Sequence, residues 1–299
     1  MKKLLLTFAA LVGLSFTFVI AGCISTDEML GLVSDPVEST KPKITGVEGS
    51  RVFCEGRKPK IWARWVSDHE VTQAEYEKYC VYGDEAPSEK YGKGGNYPAY
   101  NVSWNDAIVY CNKRSIAEGL TPCYSVYEST NPTDWGTVPT SFDSDWDEVT
   151  CDFNANGYRL PTEAEWELCA REVNASNSGQ TKYSGGNSCW DVAWYKENSG
   201  GKTHEVKKKA PNKYGAYDMT GNVREWCWDC YSDYIDENTP ADGPASCPPR
   251  YGRSRSCRVT RGGCYDDLSL ECELSWRDYA KQWGRGSHLG FRVVRSVSD

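Results

Sequence analysis

The residues of this chain best suited to chemistry are its cysteines. Fourteen of the 299 residues are Cys, and a thiol can act as a nucleophile, a redox partner, a soft metal ligand or half of a disulfide. Only Cys227 and Cys230 have CxxC spacing, and no second CxxC completes a zinc ribbon. We therefore interpret them as buried or disulfide-bonded thiols. The scattered histidines, His69, His204 and His288, do not predict a His-rich catalytic metal site.

The N-terminus carries an export signal. Two lysines precede an apolar or small stretch over residues 4–20, and a small pair leads into Cys23. This pattern predicts a secretory signal peptide over residues 1–22, and its end resembles the lipobox of bacterial lipoproteins, in which the cysteine is acylated. An ordinary signal with an incidental cysteine is the alternative. We expect a protein of the bacterial cell envelope, lipid-anchored through Cys23 at the outer-membrane surface, with residues 23–49 as a flexible polar stalk.

Export also changes the expected state of the other thiols. Without Cys23, thirteen of the fourteen cysteines remain, and disulfides are the default in an oxidising compartment. An odd number leaves at least one free thiol or one intermolecular pair.

Charge and hydropathy exclude some classes of partner. The chain has 34 Lys and Arg against 42 Asp and Glu, a formal net charge of −8 and a mean hydropathy of −0.63. Binding to nucleic acid requires a basic face, so we expect no nucleic-acid partner. No second apolar run approaches the roughly 20 residues of a membrane-spanning helix. With 12 Trp and 19 Tyr, a core can still be built from large rings.

Three capping boxes predict where helices begin. Thr72, Ser103 and Thr162 are each followed three residues later by an acidic side chain, so that cap and acid satisfy each other's backbone N–H groups. After about residue 180 the helix signals fade, and short aromatic and β-branched runs alternate with turns. We predict one mixed α+β domain over residues 50–299.

Four motifs carry a family resemblance. Residues 157–167 read GYRLPTEAEWE, residues 214–226 read YGAYDMTGNVREW, residues 258–263 read RVTRGG and residues 290–295 read GFRVVR. Together and in this order they resemble the formylglycine-generating enzyme (sulfatase-modifying factor) family. The resemblance implies a C-type-lectin fold with little regular secondary structure.

The framework residues of these motifs have a physical rationale. We expect Arg159, Arg261 and Arg292 to act as forked donors to irregular loops, because loop backbone needs polar partners. The pair Gly262-Gly263 permits a backbone bend that side chains would block.

The resemblance also bears on catalysis. The oxidase members of the family use two cysteines after the Gly-Gly turn to bind copper and oxidise a substrate cysteine, and those positions fall on Asp267 and Cys272 here. Because only one cysteine remains, we predict no catalytic residue and no enzyme activity. The alternative is an oxidase that acts on a cysteine of a target protein, with Cys264 substituting for the missing thiol.

Residues 264–289 resemble the variable region of surface lipoproteins diversified by retroelements, of the Treponema variable protein type. Adenine-directed mutagenesis of Asn codons excludes Trp, Gln, Lys, Met and Glu. Three permissive segments remain, residues 264–270, 278–280 and 284–289, and they are separated by residues that fail this filter: Glu271, Glu273, Trp276, Lys281, Gln282 and Trp283. Tyr, Asp, Ser and Gly side chains there suit adaptable recognition. We expect a binding surface for a protein or for a host or microbial surface ligand, formed by Tyr265, Asp266, Asp267, Leu268, Ser269, Leu270, Asp278, Tyr279, Ala280, Gly284, Gly286, Ser287 and His288.

We expect no cofactor in this chain except a structural calcium ion, which the resemblance implies. The family's ligands carry over to the carboxylates of Asp218 and Glu225 and the carbonyls of Gly221 and Val223, an oxygen set that suits Ca²⁺. The alternatives are that Glu225 pairs with a framework arginine and that Asp218 caps a turn.

Overall fold

A computed structural model describes residues 43–44, 61, 63–83, 85–172, 180–232 and 256–296. The predicted signal peptide, Cys23 and nearly all of the stalk lie outside these residues. Pro42–Asp299 form one compact unit. No helix in the described part of the chain is long and apolar enough to cross a membrane.

The helices are few and lie mainly in the first half of the unit. Helix α1 covers Gln73–Tyr79, α2 covers Trp104–Ala117 and α4 covers Glu163–Arg171. Two single-turn helices, α3 over Ser144–Asp147 and α5 over Cys189–Val192, complete the set among the described residues. Short 3₁₀ turns cover Pro132–Asp134 and Ser269–Cys272.

The predicted helix starts are confirmed. Thr72, Ser103 and Thr162 are the N-caps of α1, α2 and α4, and each forms a reciprocal capping box with the acid three residues later. In the Ser103 box the hydroxyl donates to the carboxylate of Asp106 over 2.6 Å. A box of this kind satisfies two backbone N–H groups that a helix end otherwise leaves unpaired.

Among the residues that the structure describes, ten short strands form three sheets. The first contains β1 (Lys43–Ile44), β2 (Arg64–Val66), β10 (Val294–Ser296) and β5 (Tyr158–Arg159), in that order. The second pairs β3 (Tyr124–Ser125) with β4 (Thr150–Cys151). The third has the order β8 (Asp278–Lys281), β7 (Cys257–Arg261), β6 (Arg224–Cys230) and β9 (Leu289–Gly290). The architecture is therefore a mixed α+β fold, as predicted.

Large rings fill the core. Trp104, Trp226 and Tyr124 are fully buried, and each indole N–H has a backbone partner: Trp104 donates to the carbonyl of Cys227 over 3.0 Å and Trp226 to that of Val102 over 2.9 Å. A buried ring with a satisfied polar group contributes its whole apolar area without an unpaired donor. This explains how a chain of low hydropathy builds a core.

Buried arginines connect the loops, as the sequence predicts. Arg159 forms a two-pronged pair with Glu165, both distances being 2.6 Å. Arg261 donates to Glu167 over 3.1 Å and to the carbonyl of Leu274 over 3.2 Å. The Gly262-Gly263 bend is also confirmed: both glycines have positive φ, and a Cβ on Gly263 would lie 2.6 Å from the sulfur of Cys272.

A cluster of partly buried charged side chains around His69 makes the stability of the fold depend on pH. The imidazole of His69 contacts the Asp68 carboxylate through Nδ1 and lies 3.3 Å from the Glu75 carboxylate through Nε2. Burial alone would lower the pKa of His69, but hydrogen bonds to the two carboxylates outweigh it, so the pKa is raised. The same contacts lower the pKa of Asp68 and of Glu75 to about 2.

His69→Gln should therefore cost more stability at acidic than at alkaline pH. A histidine whose folded pKa is raised stabilises the fold below its unfolded pKa, about 6.5, and loses that contribution as pH rises through the folded value. Urea unfolding of variant and wild type at pH 5.5 and pH 8.5 measures the difference. At His204, whose pKa burial lowers, the same substitution should show the opposite pH dependence. Equal losses at both pH values for His69→Gln would contradict this account.

Candidate ligand-binding site

The three predicted variable segments meet at one end of the third sheet. Strand pairing places Arg261 opposite Glu225, Thr260 opposite Asp278 and Arg224 beside Leu289. The end of β7 therefore lies beside the starts of β6, β8 and β9. The first segment leaves β7 there, the second begins there as β8, and the third leads into β9.

Arg224, the first residue of β6, joins the first two segments. Its guanidinium makes a two-pronged pair with Asp267, with Nε to Oδ2 at 2.8 Å and Nη2 to Oδ1 at 2.6 Å. Its remaining nitrogen, Nη1, donates to the carboxylate of Asp278. A planar fork fits a carboxylate in this way, and a lysine would not reproduce it. One framework side chain thus determines how two loops lie.

The third segment is held by different bonds. The hydroxyls of Tyr265 and Ser287 lie 2.7 Å apart, which connects it to the first segment. The carbonyl of His288 accepts from the backbone N–H of Arg224 over 2.8 Å, and that of Gly286 accepts from Asn101 over 3.0 Å. The three segments consequently form one surface.

The predicted ligand-binding residues divide by exposure. Tyr265 and Asp267 are buried, with 4% and 7% of their surface exposed, so they hold the segments together. Asp266, Leu268, Leu270 and Tyr279 are exposed, and the two leucines expose more than half of their surface. The remaining predicted residues are half-buried: Ser269, Asp278, Ala280, Gly284, Gly286, Ser287 and His288. We call the exposed four, with these half-buried residues, the variable surface.

Residues that fail the mutagenesis filter contact the framework. The carboxylate of Glu271 accepts from the backbone N–H of Leu268 over 2.9 Å. Gln282 is fully buried and donates to Asp147 over 2.8 Å. The carbonyl of Trp276 accepts from Arg261. Glu271 and Gln282, which lie between the segments, therefore have partners for their side chains.

The sequence alone did not reveal the role of Arg224. It lies inside the GNVREW motif, where its neighbours supply core rings and framework charges. Its partners are 43 and 54 residues away, which no local pattern specifies.

The two positions of the family's cysteines do not form a pair here. Asp267 occupies the first, and its carboxylate accepts from Arg224 and from the backbone N–H of Cys264 over 2.9 Å. Cys272 occupies the second and is buried, with 1% exposed. The thiol that contacts Cys272 belongs to Cys189. Cys264, the substitute that the sequence suggested, is a separate buried free thiol.

Most cysteines in the described part of the chain are free. Ten cysteines there are free, among them Cys227. Cys230 is disulfide-bonded, so the two residues of the CxxC do not bond to each other.

Glu225, a predicted calcium ligand, is occupied by protein groups. Arg292 donates to both of its oxygens over 2.6 Å, and the indole of Trp166 donates to Oε2 over 2.7 Å. This is the arginine pair that the sequence left open as the alternative. Within the described residues, no three His, Cys, Asp or Glu side chains are grouped so as to hold a metal ion.

The other predicted calcium ligands lie close to this pair. Asp218 is buried, has φ of 54°, and accepts from the backbone N–H of Lys207 over 2.7 Å. Burial raises the pKa of Asp218 to about 6. Gly221 has φ of 79°, and a Cβ there would lie 2.3 Å from the carbonyl oxygen of Trp194. The N–H of Val223 donates to Glu70 over 3.0 Å.

Comparison with known proteins finds relatives for most of the chain. The sulfatase-modifying factor enzyme 1-like domain matches residues 57–297. A protein named chaperone protein LppX, from Paenibacillus barcinonensis, is 35% identical over 249 residues, 78% of this chain and 80% of that protein. The formylglycine-generating enzyme of Thermomonospora curvata is 27% identical over 228 residues, 70% of this chain and 59% of the enzyme.

Solved structures share the architecture. Treponema denticola variable protein 1 is 37% identical, with a TM-score of 0.70 over 85% of this chain and 94% of that one. CarF is 24% identical, with a TM-score of 0.66 over 88% of this chain and 99% of that one, a likeness of fold. The resemblance inferred from the motifs is thereby confirmed.

Arg224→Met should destabilise the protein by about 3 kcal/mol, because it leaves the buried carboxylate of Asp267 without its cation. Urea unfolding measures the loss. The matched control is Lys196→Met, which removes an exposed partner 4.0 Å from Asp266 and should have no measurable effect.

A double variant tests the cause of that loss. Arg224→Met with Asp267→Asn should recover part of the stability, since the amide needs no counter-charge and its oxygen can still accept from Cys264. An Arg224→Met variant as stable as the wild type would contradict the role of Arg224.

Proposed function

We propose that this chain, which belongs to the sulfatase-modifying factor enzyme 1-like domain family, is a ligand-binding lipoprotein displayed at the bacterial cell surface. Its C-terminal variable surface recognises a ligand that differs between variants. The observation that carries this proposal is the convergence of three mutation-permissive segments at one sheet end, joined by Arg224, while filtered residues such as Gln282 hold the framework.

The chemistry of the variable surface suits a protein ligand. Leu268 and Leu270 offer exposed apolar contact, Asp266 a charge, and Tyr279 a rigid ring with a polar tip. Interfaces of this composition combine anchors with adaptable polar contacts. The ring of Tyr279 lies 4.5 Å from that of Tyr231, which limits its freedom before binding. A ligand meeting prearranged side chains costs less ordering entropy.

The comparisons support this proposal in two ways. The variable protein of Treponema denticola is similar at 37% identity over most of both chains, which favours diversification of residues 264–289 by a retroelement and a fold of the C-type-lectin type. The relative named a chaperone favours a protein as the ligand, on the cell itself, a host or another microbe. The signal peptide, acylation of Cys23 and outer-membrane display are part of the proposal.

An oxidase function has less support. The family includes formylglycine-generating enzymes, but the position of their first cysteine is Asp267, whose carboxylate is bound to Arg224. An aspartate oxygen is a poor ligand for a soft metal ion. Catalysis would have to pass through Cys272, which is buried.

Sequencing many clones of one strain should show changes concentrated at the exposed positions. Asp266, Leu268 and Leu270 are exposed, so they should vary most, while Trp276 and Trp283 stay fixed. A reverse transcriptase and an Asn-rich template copy should lie near the gene.

A matched pair of libraries separates recognition from folding. NNY randomisation of Asp266, Leu268 and Leu270 should leave the melting midpoint within about 3 °C of the parent, since surface substitutions away from buried partners cost little. The same randomisation of Tyr265 and Asp267 should lower the melting midpoint in most library members.

In the sequencing experiment, clones of the strain that are invariant, or that vary evenly along the chain, would contradict the proposal. Oxygen consumption with copper and a cysteine peptide that Cys272→Ser abolishes would contradict it too.

Calcium binding by Asp218, Gly221, Val223 and Glu225 stays a prediction. An ion that binds only to the native state raises the melting midpoint of the protein by mass action. The protein should therefore melt at higher temperature in excess calcium than in chelator, and Asp218→Asn should remove the difference. If the wild-type protein melts at the same temperature in calcium and in chelator, this segment binds no calcium and Glu225 serves only to pair with Arg292.

A further inference from the structure

Cys272 has a thiol partner that is distant in the sequence. Cys189 is the first residue of α5, and Cys272 is the last residue of the 3₁₀ turn that follows the first variable segment. The two side chains are hydrogen-bonded, with the Cys272 thiol donating to the sulfur of Cys189. Both are buried in one small cluster with Tyr183, Val192 and other apolar residues.

The backbone around the two thiols is already held together. The N–H of Leu274 donates to the carbonyl of Lys182 over 3.2 Å. The ammonium of Lys182 lies 2.9 Å from the carboxylate of Glu273. Gly263, with no Cβ, lets the chain pack directly against the sulfur of Cys272. These contacts hold the segment of Cys272 next to the segment that precedes α5, and a disulfide requires such proximity of the two backbones.

The two thiols are chemically unequal. The hydrogen bond from Cys272 lowers the pKa of Cys189, against the effect of burial and with help from Lys182 and Lys209. The same hydrogen bond, with burial, raises the pKa of Cys272. Cys189 also has the greater exposure, 7% against 1%. Since the thiolate is the nucleophile in exchange, Cys189 is the residue that an external disulfide meets first.

We propose that Cys189 and Cys272 form a disulfide in the exported protein, which locks the first variable segment to α5. The oxidant is a small-molecule or protein disulfide of the envelope. The Cys189 thiolate attacks it and releases one thiol; the Cys272 thiol then loses its proton and displaces the second. One S–S bond forms, one breaks, and the two electrons reside in the two released thiols.

The consequence concerns ligand binding. The segment that carries Leu268 and Leu270 is tied at its start by the Asp267–Arg224 pair. The disulfide would tie its end, so the exposed leucines would be held at both sides before a ligand arrives. Such preorganisation reduces the entropic cost of binding. The oxidation rests on the export that the proposed function includes.

The test uses the full chain recovered from the cell envelope. Free thiols are alkylated in denaturant, and the unreduced digest is examined by mass spectrometry. We expect a cross-linked peptide pair containing Cys189 and Cys272, which disappears on reduction. Reductant should lower the melting midpoint of the wild type by on the order of 10 °C more than that of a Cys189→Ser/Cys272→Ser variant, whose remaining response comes from the disulfide of Cys230. Cys169→Ser, which removes a buried free thiol of another cluster, should respond like the wild type.

The outcomes separate this inference from the proposed function. An envelope protein in which both thiols are alkylated singly, or in which Cys264 is the partner of Cys272, overturns the disulfide and leaves ligand display standing. If the chain is not exported, display fails, and the reduced purified protein is incubated with oxidised glutathione. A Cys189–Cys272 cross-link then supports the pair, and glutathione adducts alone overturn it.

Discussion

The ion pair between Glu225 and Arg292 is the contact on which most of this fold depends. Arg292 donates to both oxygens of Glu225 over 2.6 Å, to the carbonyl of Tyr217 over 2.9 Å and to that of Ser67 over 3.1 Å. Trp166 supplies a further donor to the same carboxylate. One buried fork thus joins a sheet, a helix and two loops. Loops that run through an interior need such partners, because buried carbonyls without donors are costly.

The same device is used at the end of the third sheet where the variable surface lies, with a different result. Arg292 is fully buried and its partners belong to the framework. Arg224 is half-buried, and its partners, Asp267 and Asp278, lie on the variable segments. A buried pair contributes little net stability over an apolar pair of the same shape, but it is selective for one arrangement. Here that selectivity determines where two loops lie.

This division between a rigid framework and permissive loops explains how one fold serves unlike functions. The family contains formylglycine-generating enzymes, and a variable protein has the same architecture. In this chain the loop after β7 carries Asp267 where the resemblance places a cysteine, and the arginine fork binds it. Asp267 thereby acts as a loop anchor at this position, which agrees with the rule that function belongs to sites and not to folds.

The sequence by itself determined the features that depend on near neighbours. Capping boxes span three residues, so Thr72, Ser103 and Thr162 marked the helix starts correctly, and the motifs were sufficient for the family. Only the tertiary structure decided partners across long separations: Arg224 with Asp267, 43 residues away, and Cys272 with Cys189. It also decided that Tyr265 and Asp267 face inward. Local sequence patterns carry no information about such pairings, because the paired residues are far apart in the sequence. The packing of the sheet, and not the type of the paired residues, brings their segments together.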